Sequence, residues 1–167
     1  AKLDGRNPTI LYGYGGFEIS MVPSYSGFVG NGWLAKGGVW VLSNLRGGGE
    51  FGPAWNQVAR REGRQKTHDD FAAVAEDLIR RKLTSPAKLG ILGGSQGGLL
   101  VSATMLQRPE LFGAVVATDF AVRAPGRSPS PYWGRFYDIV EFLALAAIVP
   151  LGAQVLGLYM TVRGLGG

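Results

Sequence analysis

The chain has 167 residues, of which 46% are apolar and only 17% charged, a balance that excludes bulk disorder and suffices for one domain with a real core. It contains no cysteine, so a disulfide framework, a thiol nucleophile and a cysteine-based zinc site are excluded. The net charge of +5 comes from scattered basic residues and reads as a solvated surface, not a nucleic-acid footprint. Neither cofactor nor metal is expected. Nothing at the N-terminus has the form of a signal peptide, and a chain opening on Ala1-Lys2-Leu3 without Met reads as a fragment.

In chain order, Asn7-Pro8 marks a turn before Thr9-Ile10-Leu11-Tyr12, a short apolar run suited to a buried strand that stops at Gly13-Tyr14-Gly15-Gly16. Residues 24–36 can hold a helix ending at Gly37-Gly38. Val39-Trp40-Val41-Leu42 is the second strand, residues 46–52 are its exit loop, and Pro53-Ala54-Trp55 opens a helix. Thr67-His68-Asp69-Asp70 reads as a helix start, an acceptor followed by acids near the positive end. Phe71, Val74, Ala75, Leu78 and Ile79 follow at helical spacing, which gives one apolar face. A third strand is expected over 89–92, a helix from about Gly98 to Gln107, and a fourth strand over 113–118. Apolar strands alternating with helices predict an α/β fold with a mostly parallel sheet covered on both faces.

Between the third strand and its helix lies Gly93-x-Ser95-x-Gly97, the pattern of a nucleophile elbow: a serine on a sharp strand-to-helix turn. Such a turn strains the serine backbone, and a Cβ two residues away on either side would collide with a neighbouring strand or helix. The turn lifts the Ser95 hydroxyl clear of the sheet and aims the Gln96 backbone N–H at the place where an oxyanion would form. The same pentapeptide would also serve as a glycine-rich turn with an incidental serine. Tyr14 has two readings as well. Its phenol, on a flexible turn at a strand exit, could donate to an oxyanion; it could equally pack on the turn with its hydroxyl satisfied by backbone or water.

Gly47-x-Gly49-x-x-Gly52 imitates a dinucleotide fingerprint, with Asp69 and Asp70 downstream. Pro53 follows the third glycine at once, and the acids start a helix instead of ending a strand, so a nucleotide site is discounted.

Four blocks together resemble the catalytic domain of the prolyl oligopeptidase family of serine peptidases over residues 8–118. They are Leu11-Tyr12-Gly13-Tyr14-Gly15-Gly16-Phe17; Asn44-Leu45-Arg46-Gly47-Gly48-Gly49-Glu50-Phe51-Gly52; Asp69-Asp70-Phe71; and Gly93-Gly94-Ser95-Gln96-Gly97-Gly98-Leu99-Leu100 with Gln107-Arg108-Pro109. The resemblance implies an α/β-hydrolase fold, a short peptide substrate, Ser95 as nucleophile, and an oxyanion hole built from Tyr14 and the Gln96 N–H. The family more often carries Asn after the serine, a difference of little weight where the backbone supplies the donor.

The chain then departs from that pattern. In this fold the triad runs Ser, Asp or Glu, then His. The single histidine, His68, precedes the serine and reads as structural, and Asp119 has no histidine to orient. The family's triad acid and histidine lie further downstream, so the chain reads as a truncated α/β-hydrolase, inactive on its own.

Residues 1–120 are therefore expected to form the partial hydrolase domain, residues 121–135 (AVRAPGRSPSPYWGR) a linker, and residues 136–167 a hydrophobic helical tail. Residues 142–162 carry no formal charge, long enough to span a bilayer, with Tyr132, Trp133 and Tyr159 as interfacial aromatics and Arg135 and Arg163 as flanks. The stretch from Ser130 to Leu165 also resembles the final transmembrane helix of the EccD-type component of type VII secretion systems. That resemblance implies membrane contact through residues 142–162, with the hydrolase part cytoplasmic, and offers a non-catalytic, membrane-anchored chimera as the alternative function.

Overall fold

The computed structural model describes residues 1–118. Four strands form one sheet in the order β2-β1-β3-β4: β1 Thr9–Tyr12, β2 Val39–Leu42, β3 Leu89–Gly94 and β4 Ala114–Thr118. Every pairing is parallel, with Leu11 opposite both Val41 and Ile91, and Leu92 opposite Val116. The two strands expected first have the bounds read from the sequence. β3 runs on to Gly94 because β4 pairs with it as far as Thr118.

Four helices connect the strands: α1 Gly27–Gly32, α2 Pro53–Gln57, α3 Gln65–Arg80 and α4 Gln96–Gln107. The stretch expected to hold one helix before Gly37 is split. α1 is capped by the Ser26 hydroxyl, which accepts from the Val29 N–H at 3.3 Å, and the chain breaks at Trp33 into a short 3₁₀ turn closed by Gly37 at φ 83°. Trp33 leaves the helix because its ring N–H donates to the Val39 carbonyl at 2.8 Å, tying the turn to the start of β2.

The helix expected to start at Thr67 starts at Gln65. A 3₁₀ turn over Arg61–Arg64 feeds straight into α3, and Arg64 already has helical dihedrals, so no extended cap residue is needed. Thr67 and His68 are buried in the helix interior. Likewise α4 begins at Gln96, not near Gly98, because the Ser95 carbonyl accepts from the N–H groups of Gly98 and Leu99.

One face of the sheet carries the core. Thr9 and Leu11 of β1 and Leu89 and Ile91 of β3 alternate as buried residues, as the two-residue repeat of a strand requires. Phe71 of α3 and Leu100 and Val101 of α4 close over them, and Leu45 completes the cluster. Among the described residues the other face is covered only in part. There Ile10, Tyr12, Leu92 and all of β2 are half-buried, and Val116 on the edge strand β4 is 51% exposed. Among the described residues no helix is long and apolar enough to cross a membrane. The linker, the tail at 136–167, its segment 142–162 and Asp119 lie outside the described residues.

Candidate active site

Ser95 stands between β3 and α4 at φ 53°, ψ −117°, a conformation that non-glycine residues seldom adopt. Its N–H donates to the Thr118 carbonyl at 2.9 Å, fixing the turn to β4, and the residue is exposed at the carboxyl edge of the sheet. The flanking glycines are steric requirements. A Cβ on Gly93 would run into the Gly97 carbonyl, and a Cβ on Gly97 into the Gly13 carbonyl. Strand, helix and the Tyr14 turn are thus pressed together at one point, and a Cβ at Gly97 would lie 3.5 Å from Tyr14 Cα.

The Tyr14 turn is held there by several contacts. The Gly13 N–H donates to the Leu92 carbonyl at 3.3 Å. Beneath Gly13 lie Phe71 and Leu100, whose side chains leave no room for a Cβ. Arg64 Nη1 donates to the Gly15 carbonyl at 2.6 Å, and Gly16 packs against the Gln96 side chain. The structure therefore brings Ser95, Gln96 and the Tyr14 turn to one edge of the sheet.

The 46–52 loop clamps this turn from the other side. Arg46 lays its guanidinium on the Asp70 carboxylate, with Nε 2.8 and 3.0 Å from the two oxygens, and its backbone N–H donates to the same carboxylate at 3.0 Å. Thr67 Oγ1 donates to the Arg46 carbonyl at 2.7 Å, and Asn56 Nδ2 donates to the Gly47 carbonyl at 2.6 Å. Two of the three glycines that imitate a dinucleotide fingerprint serve this packing. Gly47, at φ 104°, lies on the Gly15 carbonyl, and a Cβ on Gly49 would strike the Glu18 carbonyl. Asp70, read from the sequence as favouring the positive end of a helix, is instead the anchor of the clamp. Arg46 and Arg64 escaped the sequence reading because their partners lie 24 and 49 residues away.

Beyond the turn, Phe17 and Glu18 both have positive φ, 54° and 58°, and Phe17 is 74% exposed. They border a cavity of about 420 Å³ lined also by Gly16, Arg60, Arg61, Arg64 and Gln96.

His68 is remote from this edge. It is buried, with Nδ1 3.4 Å from Thr104 Oγ1, nine residues along α4 from Ser95 and so about 13 Å of helix rise away. Burial, and then the Arg64 charge, push its pKa below the ordinary histidine value. In the unfolded chain the ring titrates near ~6.5, so as pH falls through that value the unfolded state takes up a proton that the folded state refuses. The stability present above ~6.5 is therefore lost as pH drops toward the folded pKa, by up to ~1.4 kcal/mol per pH unit. Urea midpoints at pH 7.5 and 5.5 should show this decline, and His68→Gln should flatten it; an equal slope in the variant would refute the assignment.

Among the described residues there is no group of three or more His, Asp or Glu side chains placed to hold a metal ion.

A parallel α/β sheet with an exposed serine strained onto the turn from strand to helix defines the class, an α/β domain of the hydrolase type. Comparison with known proteins then identifies the family. Residues 25–124 match the prolyl oligopeptidase family, and this chain belongs to it. A second match, to an EccD-like transmembrane domain, covers residues 87–165. An uncharacterized peptidase of Sinorhizobium fredii, y4nA, is 51% identical over 89% of this chain and 22% of its own length. A prolyl endopeptidase of Elizabethkingia miricola is 44% identical over 66% of this chain and 16% of its own. The structure of a post-proline cleaving enzyme from Rickettsia typhi superposes with a TM-score of 0.70 at 53% identity, covering 71% of this chain and 17% of that one. The chain thus spans about a fifth or less of the length of these relatives.

Proposed function

We propose that the chain carries the nucleophile half of a serine peptidase acting on short peptides. The observation that carries this reading is the Ser95 backbone, strained and exposed at the sheet edge between two glycines that admit no side chain. In this reading Ser95 Oγ attacks the scissile carbonyl. The oxygen that becomes negative is met by the Gln96 N–H at the start of α4 and by the Tyr14 hydroxyl, donors positioned before the reaction begins. The strain at Ser95 is retained because it holds the hydroxyl off the sheet. Membership of the peptidase family supports the substrate class, since the matched relatives include prolyl endopeptidases.

Among the described residues the one histidine is buried beside Thr104 and gives Ser95 no general base. In this reading the hydroxyl is a weak nucleophile until a triad acid and histidine are supplied by another polypeptide segment. Incubation of the chain with a fluorophosphonate should give a single, slowly formed adduct on Ser95, read by intact mass, and none in Ser95→Ala. Adduct formation undiminished in Ser95→Ala would refute the assignment.

A second reading is favoured by the EccD-like match over residues 87–165 and by the uncharged segment 142–162. In it the tail anchors an α/β module, with no catalytic role, to a membrane. Arg123, Arg127 and Arg135 precede the segment and Arg163 follows it, an asymmetry that would keep the α/β part on the cytoplasmic side. The full chain is expected to sediment with membranes and a chain ending at Phe120 to lose that association. A full chain that stays in the high-speed supernatant without detergent would refute the anchor.

A further inference from the structure

The cavity lined by Gly16 and by Gln96, the residue after Ser95, holds charge that has no ion-pair partner among the described residues. Three arginines, Arg60, Arg61 and Arg64, line it, against one acid, Glu18. Arg64 spends Nη1 on the Gly15 carbonyl, but its Nη2 is buried and has no hydrogen-bond partner among the described residues. Gln96 Nε2 is also buried and unpartnered, and Gln96 lines the same cavity. Both side chains approach Gly16: a Cβ built there would lie 2.6 Å from Gln96 Cγ and 3.7 Å from Arg64 Nη1. Buried donors are paired in nearly all proteins, and two without a partner among the described residues, on side chains that line one cleft, call for an acceptor. Burial lowers the Arg64 pKa, with the nearby Tyr14 opposing it. Gln96 is moreover the first residue of a 12-residue helix, whose positive end favours negative charge.

We propose that this cleft is a subsite for a carboxylate of the bound peptide, received by Arg64 Nη2 and Gln96 Nε2 beside the reacting serine. The inference rests on reading Ser95 as the nucleophile of a peptidase, and it adds the substrate class: peptides that present an acidic group next to the scissile bond. A guanidinium and a primary amide offer donors in the planar arrangement that a carboxylate accepts, and both are already desolvated, so pairing them costs little. Arg60 and Arg61 add an attractive field at the mouth.

The carboxylate can be an acidic side chain or the free C-terminus of the peptide, and one experiment separates them. Four proline-containing tetrapeptides, carrying Glu or Gln and ending in a free acid or an amide, are titrated into the full chain by fluorescence anisotropy. One of the two replacements is expected to weaken binding about 10- to 100-fold, the factor a charge-assisted hydrogen bond contributes. Arg64→Met should erase that difference. Because Arg64 also holds the Gly15 carbonyl, Gln96→Met is measured beside it and should reduce the difference without touching that bond. Equal affinity for all four peptides, or a preference that survives both variants, would overturn the subsite. The fluorophosphonate adduct on Ser95, read on the same sample, reports the nucleophile separately. A carboxylate preference without the adduct sinks the peptidase reading and keeps the anion site, whereas the adduct without the preference does the reverse.

Discussion

Incubated alone with a Gly-Pro chromogenic substrate, this chain is expected to show negligible turnover, several orders of magnitude below an intact serine peptidase. The reason lies in proton transfer. Attack by Ser95 requires that its proton leave as the bond to carbon forms, and among the described residues the one histidine is turned to Thr104 instead. His68 is buried against Thr104, about 13 Å of helix away, and its environment already disfavours the protonated form. Oxyanion stabilisation by Tyr14 and the Gln96 N–H would leave only the residual acceleration that remains in enzymes stripped of their triad. Initial-rate assays on the full chain and on Ser95→Ala decide the matter. Rates in the normal enzymatic range that vanish in Ser95→Ala would show that a base had been overlooked, and His68→Ala would identify it. Restoration of turnover by adding a segment that supplies an acid and a histidine would show that the serine half was competent throughout.

Phe71→Ala is expected to destabilise the described domain by about 3–5 kcal/mol, the cost of deleting a fully buried aromatic ring from a packed core. Few substitutions here should cost more. The ring lies under Gly13, where Cε2 would be 2.6 Å from an added Cβ, and it belongs to the cluster with Leu11, Ile91 and Leu100. The loss should therefore loosen the turn that carries Tyr14 as well as the core. Urea unfolding of the wild-type and variant chains measures the first effect. Fluorophosphonate labelling under native conditions measures the second, and its rate should fall with the loss of order at the turn. A change below ~1 kcal/mol would mean that the core closes over the cavity or that Phe71 contributes less than its burial implies.

What the sequence determined by itself is local. The four strands and the elbow are legible because each rests on a pattern a few residues long: apolar runs cut by glycine or proline, and a serine between two glycines. Gly93 and Gly97 had to be glycine for a reason visible in the motif, and the structure supplies the obstacles, the carbonyls of Gly97 and Gly13. Helix starts were less legible. Thr67-His68-Asp69-Asp70 has the composition of a helix cap, yet Thr67 and Asp70 are spent on a distant partner. Thr67 bonds the Arg46 carbonyl, Asp70 holds Arg46, and α3 begins earlier from a 3₁₀ turn that needs no cap. A side chain that can cap a helix can equally tether a loop, and only the presence of that loop decides between them. The same holds for Arg64 and for the paired positive φ values at Phe17 and Glu18, which follow from the 13–20 and 46–52 loops lying against each other. Composition cannot report such contacts, because they join residues whose separation along the chain carries no periodic signal. The tertiary structure decided how the Tyr14 turn is seated over the elbow, because that requires the carboxyl edges of β1 and β3 to be neighbours in one parallel sheet.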